Sequence, residues 1–154
     1  MGLDKNEFMT SKFPETINGS TITVGFTGTR AIEKISEKRL FELHKELLKI
    51  DVSNNEPIFV HGGAQGMDEY FHNIVINIVD SQVKVIFAKG MERELEGEYE
   101  TLPSKPPLER NTDIVDMCDI LIAVPIDPEV EEQRSGTWAT IRYAKKMGKK
   151  IVMI

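Results

Sequence analysis

Three glycines in five positions, Gly62, Gly63 and Gly66, stand in the run HGGAQGMD (61–68) between an apolar stretch and a helical one. Such a junction can turn backbone N–H groups toward one locus, with the positive end of the next helix behind them, and that combination binds phosphate. RSGT (134–137) offers a second cradle: Gly136 permits close backbone approach, while Ser135 and Thr137 can cap a helix or donate hydroxyls. Arginines attend both. Arg30 follows Gly28 and Thr29 in TGTR (27–30), Arg110 lies in LERN (108–111), and Arg134 precedes SGT; a planar guanidinium fork matches phosphate oxygens better than an ammonium does. Asn111 either caps a helix or reaches a ribose or base edge. The chemistry implied is recognition of a phosphorylated ligand.

Groups suited to catalysis are scarcer. Asp68 opens a helix, where it either complements the dipole or holds a ribose hydroxyl, and Glu109 adjoins Arg110. These two are the acid/base candidates. His61, ending a strand, reads equally as structural or as a ligand contact. His44 and His72 lie on helices without partner spacing, so no metal site is expected. Neither G-x-G-x-x-G nor a G-K-[ST] loop occurs, which excludes Walker-type ATP chemistry.

The elements that must position these residues alternate. Strands are predicted at 21–27, 57–61, 83–88, 119–125 and 149–154, and helices at 36–50, 67–80, 108–117 and 137–147. Segments 89–107 and 126–136 read as solvated loops. The expected fold is α/β: a single Rossmann-like, doubly wound, five-stranded parallel sheet of order 3-2-1-4-5 with helices on both faces. Its switch point lies between strands 1 and 4, and the glycine junctions fall at the carboxyl ends of the strands there, where open sheets bind ligands.

The chain has 154 residues, enough for one domain with a real core. Residues 1–20 read as a poorly ordered arm and 21–154 as the nucleotide-binding domain. A formal net charge of −6 disfavours nucleic-acid and anionic-membrane partners. The single cysteine, Cys118, beside a strand, reads as a buried, inert thiol, and without a disulfide framework, leader or long apolar run the expected location is cytoplasmic. No cofactor is expected. Apolar residues on helix 67–80 cover more than half its circumference, wider than one core face requires, which suggests a homodimer or higher homo-oligomer.

Taken in order, GFTGTR, HGGAQGMD, PPLERNTDIVDMCDILIAVP and SGTWATIRYAKKMGKKIV resemble the SLOG superfamily of Rossmann-like proteins, most closely its YspA-like branch, over residues 21–154. The resemblance implies binding of a nucleotide or nucleotide-derived ligand at the strand carboxyl ends, often in dimers. Related branches include DNA-processing protein A and LOG-type phosphoribohydrolases, which cut the base from a nucleoside 5′-monophosphate. The hydrolase branch has an arginine-lysine pair where this chain has Arg110 and Asn111, and P-G-G-x-G-T-x-x-E where it reads RSGTWAT, with Thr140 in the glutamate's place. Loss of a glycosidic bond develops positive charge on the ribose, for which a hydroxyl compensates little. The expected function is a nucleotide-binding sensor or module; the alternatives are N-glycoside hydrolysis of a nucleoside monophosphate and, against the acidic composition, single-stranded nucleic-acid binding.

Overall fold

Helical crossovers between strands favour parallel pairings, and every pairing in the sheet is parallel. The computed structural model describes residues 21–53 and 56–154; the expected arm over 1–20 lies outside them. The strands are β1 (Thr23–Gly28), β2 (Ile58–His61), β3 (Gln82–Val85), β4 (Glu100–Thr101), β5 (Ile120–Val124) and β6 (Lys150–Met153). The helices are α1 (Glu37–Ser53), α2 (Met67–Val75), α3 (Pro107–Met117) and α4 (Gly136–Lys146).

The sheet order is β4-β3-β2-β1-β5-β6. It contains the expected five-strand order and corrects the count to six. The added edge strand is two residues long, within the segment read as a loop. Lys84 and Val85 pair with Glu100 and Thr101, and Leu102 N–H donates to the Val85 carbonyl at 3.0 Å. Two exposed polar residues carry no alternation to reveal such a strand.

Strand side chains alternate between the two faces. Val24 and Phe26 of β1 and Ile120, Ile122 and Val124 of β5 pack with Leu43 and Leu47 of α1 and Met67, Phe71 and Val75 of α2. On the other face Leu121 joins Ile114 and Val115 of α3 and Ala144 of α4, while Ala123 meets Trp138 and Ile141 of α4. Helices therefore cover both faces. Cys118 is buried under β1, its thiol pushed up to about 11 chiefly by burial, which keeps it protonated and unreactive.

Helix α2 ends at Val75, short of the expected 80. The Ser81 hydroxyl donates to the carbonyls of Val75 (3.2 Å) and Ile78 (2.9 Å), and Asp80 turns the chain at φ +60°. Much of the wide apolar face expected there packs within the chain: Tyr70, Ile74, Ile76 and Ile78, partly buried, pack on the main core together with Leu95 and Tyr99 from the 89–107 segment. Val79, on the same stretch, stays 79% exposed. Among the described residues no helix is long and apolar enough to cross a membrane.

Candidate functional site

Strand β1 pairs with β2 on one side and β5 on the other, so the loops leaving these strands diverge above it. A cleft of about 510 Å³ opens there, walled by residues 27–30 after β1, Gly62 and Ala64 after β2, Asp68 of α2, residues 107, 108, 110 and 111 of α3, Ile126, and residues 132 and 134–137 leading into α4. The two glycine junctions thus share one cavity. Of the residues singled out from sequence, Gly28, Thr29, Arg30, Gly62, Asp68, Arg110, Asn111, Arg134, Ser135, Gly136 and Thr137 lie on its wall. Gly63, Gly66 and Glu109 do not; Glu109 is exposed on α3.

The glycines divide by role. Gly63 (φ +66°) and Gly66 (φ +85°) are in the left-handed region, and a Cβ would strike the Phe87 ring at the first and the Arg30 backbone carbonyl at the second. Both serve the turn behind the wall. At Gly62 a Cβ would run into the Arg110 guanidinium. Gly136 differs: a Cβ there would meet nothing within 4 Å, although the residue faces the cleft. The fold does not require glycine at 136.

The amides of the first junction have internal acceptors. Gly63 N–H donates to His61 Nδ1 at 3.0 Å, and Ala64 N–H donates to Asp68 Oδ2 at 3.2 Å. A carboxylate of the chain's own thus occupies the cradle expected to hold phosphate. Asp68 is buried with its carboxyl raised to about 6; desolvation drives it up, against the backbone N–H groups and the charges of Arg110 and Arg30. At the second junction Ser135 is the cap, its Oγ accepting from Trp138 N–H at 3.1 Å, and its carbonyl accepts from Ala139 N–H at 2.9 Å. Neither bond uses the N–H groups of Gly136 and Thr137, the first two of α4, which stand at the cleft. Thr140 is buried and donates back to the Gly136 carbonyl at 2.9 Å, away from the cleft wall.

Arg110 is fixed in the wall. Nη1 donates to the carbonyls of Gly62 (2.7 Å) and Ile86 (3.2 Å), and Nε donates to Asn111 Oδ1 (2.8 Å). Asn111 therefore locks the arginine instead of capping α3. The residue is 8% exposed, and desolvation lowers its pKa while Asp68 raises it. Arg39 of α1 performs a similar service at the opposite wall, donating to the carbonyls of Pro125, Ile126 and Ile154 at 2.6 to 2.7 Å.

Two further features escape a sequence reading. His61 and His72 form a buried relay: Nε2 of His61 lies 2.8 Å from Nδ1 of His72, and Nε2 of His72 lies 2.8 Å from the Glu96 carbonyl. The Gly63 N–H makes His61 Nδ1 an acceptor, so the proton of His61 sits on Nε2 and that of His72 on Nε2, where it donates to Glu96. His72 thus has a hydrogen-bond partner on another element that its own helix spacing does not reveal. Burial, then His72, Arg110 and Arg93, hold His61 well below its ordinary 6.5. Arg93, in the segment read as plain loop, donates from Nε to the Gly63 carbonyl and from Nη2 to the Ala64 carbonyl, each at 2.9 Å. Among the described residues no group of three or more His, Cys, Asp or Glu could hold a metal ion.

Arg93→Met removes the fork that fixes Gly63 and Ala64. The expected loss is about 1–2 kcal/mol, set by two partly solvated hydrogen bonds; the 3.5 Å contact to the half-exposed Glu69 adds little. Urea unfolding measures the loss, and hydrogen exchange at the Gly63 and Ala64 amides should quicken. Unchanged exchange at those amides would show that the fork does not hold the loop.

The chain matches no protein-family model, no curated protein and no solved structure.

Proposed function

We propose that the cleft binds a nucleotide or nucleotide-derived phosphorylated ligand, in a Rossmann-like fold akin to the SLOG superfamily. The observation that carries this reading is Gly136. It faces a 510 Å³ cleft where neither the turn nor the packing demands a glycine, beside two unused N-terminal amides of α4. A phosphate against those amides, flanked by Arg134 and Thr137, uses the helix end directly. Arg110 and Arg30 face the ligand from the opposite wall, in a chain whose overall net charge is −6. Asp68, on the cleft wall at the start of α2, would accept a ribose hydroxyl. The phosphate seat in this reading is residues 135–137, while α2 supplies Asp68 and the 62–66 junction the mount for Arg110.

Thermal-shift measurements with AMP, ADP-ribose, NAD and cyclic nucleotides test it, because a ligand that prefers the folded state raises apparent stability, by about 2.7 kcal/mol at 100 times its Kd. Failure of every phosphorylated ligand to raise Tm would end the reading. Gly136→Ala separates site from fold. Its Cβ enters open space, so the unliganded Tm is expected to hold or rise, as alanine favours a first helical turn by up to about 1 kcal/mol over glycine. Ligand affinity is expected to fall at least tenfold, about 1.4 kcal/mol. Unimpaired binding by this variant would remove the phosphate from the α4 terminus.

One observation favours a hydrolytic variant of this reading. A carboxyl raised to about 6 keeps a protonated fraction, about a tenth at pH 7, that can serve as a general acid for a departing base. Against it, Thr140 is turned away, and the other carboxylate on the wall, Glu132, is exposed. Incubation with nucleoside 5′-monophosphates and chromatography for free base decides the matter, with Asp68→Asn expected to abolish any turnover found.

A further inference from the structure

A second cavity of about 120 Å³ adjoins the cleft and shares Arg30, Gly62, Ala64 and Arg110 with it. Its own walls add Arg93, Gln65 and Met91. Three guanidinium groups border this side pocket, and no carboxylate does, whereas the main cleft has Asp68 and Glu132. Two of the three are held in place before any ligand arrives: Arg110 by the Gly62 and Ile86 carbonyls, Arg93 by the Gly63 and Ala64 carbonyls. A fixed fork loses less freedom on meeting an anion than a solvated side chain does. Glu69 at 3.5 Å offsets part of the Arg93 charge, and Asp68 part of that on Arg110 and Arg30, but neither carboxylate lines the pocket, so the charged groups on its wall are guanidinium alone.

We propose that the side pocket seats a second phosphate group, and that the ligand is a nucleotide carrying two phosphates. This rests on the nucleotide reading of the main cleft and adds to it the ligand's second anionic arm. Size argues the same way: 120 Å³ lies far below the 300–1,000 Å³ of a pocket for a whole small molecule. It takes one group, not a second nucleoside. A nucleobase is the poorer occupant, because edge recognition needs several neutral donors and acceptors and the walls offer only the Gln65 side-chain amide beside the three arginines. The connecting arm crosses Gly62, where the absence of a Cβ lets the Arg110 guanidinium pack directly against the backbone at the border of the two spaces.

The test compares nucleoside 5′-monophosphates with the matching 5′-diphosphates and 3′,5′-bisphosphates by calorimetric titration, in the wild type and in Gln65→Glu and Met91→Glu. Both altered residues are exposed and line only the side pocket. Expected is at least about a tenfold advantage of one doubly phosphorylated form over the monophosphate, the gain of one charge-assisted fork. Whichever form shows it identifies where the second phosphate is attached. Either carboxylate variant should erase that advantage while leaving monophosphate affinity within about twofold. Monophosphate binding without any advantage for a second phosphate overturns the inference and spares the nucleotide reading, as does an advantage that survives both variants. Absence of binding by every nucleotide overturns both.

Discussion

Arg110→Met is expected to cost about 3–5 kcal/mol of folding stability at pH 7.5 and to abolish ligand binding. Two terms make up the stability loss. The Gly62 and Ile86 carbonyls lose their donor, at about 1–3 kcal/mol each when buried. Asp68 also loses the larger of its two opposing charges while remaining buried, and a less compensated buried carboxylate is costly. The second term has a sign that pH exposes. A carboxyl raised in the folded state from 3.8 to about 6 binds its proton more tightly when folded, so its contribution is fully favourable below 3.8 and is lost as pH rises through about 6. Without Arg110 the folded value moves higher still, so the destabilisation keeps growing to a higher pH before it levels off. The deficit of Arg110→Met relative to the wild type should therefore narrow between pH 7.5 and pH 5. Asp68→Asn in the Arg110→Met background should recover part of the loss at pH 7.5, a coupling that a double-mutant cycle isolates. Simple additivity of the two substitutions, with no pH dependence, would mean the two side chains do not communicate. Arg110→Lys keeps the charge but lacks the fork, so it should restore stability in part and ligand binding hardly at all.

Much of the architecture was legible because each major strand announces itself. The run TITVGFT has the β-branched content of β1, and DILIAVP the continuous apolar character of a strand buried on both faces, as all five residues of β5 are. The cleft was legible for a topological reason: the glycine junctions follow β2 and precede α4, and β1 separates the strands that lead into them. What escaped depends on contacts that no local pattern encodes. Glu100 and Thr101 are a strand only because Val85 offers its carbonyl to Leu102. His72 looked solitary because its partner lies on another element, and i,i+11 is no helical or strand spacing. Gly63 and Gly66 do what glycine uniquely allows, but for Phe87 and the Arg30 backbone. A sequence shows that a position needs glycine; it does not show whether a ligand or the chain itself takes the space. Gly136 is the instructive contrast, the one site glycine whose vacancy the fold leaves unfilled while the cleft opens onto it.

His61→Leu is expected to cost about 2–4 kcal/mol at pH 8 and to flatten the acid limb of the stability profile. Leucine fills similar space but orphans the Gly63 N–H and removes the donor to His72 Nδ1, two buried polar groups at about 1–3 kcal/mol apiece. The pH effect follows from the direction of the shift. His61 is held below 6.5 by burial and by the neighbouring His72, Arg110 and Arg93, so the unfolded chain takes up its proton first. Its contribution is complete above 6.5 and is lost as pH falls below that value, at up to about 1.4 kcal/mol per pH unit. Asp68 works against it, gaining stability for the folded state as pH falls through about 6 toward 3.8. The two titrations overlap and mask each other in the wild type. Asp68→Asn removes the opposing one, and in that background stability should fall steeply between pH 6.5 and pH 5. Adding His61→Leu should abolish the fall. Protonation is incompatible with the relay for a geometric reason: a proton on His61 Nδ1 would point at the Gly63 N–H, donor against donor. Since Gly63 and Ala64 mount both Arg93 and Asp68, ligand affinity should fall with stability over the same pH interval. Urea unfolding at pH 8, 7, 6 and 5 reads the effect. An acid limb of equal slope in Asp68→Asn with and without His61 would rule out the buried imidazole as its source.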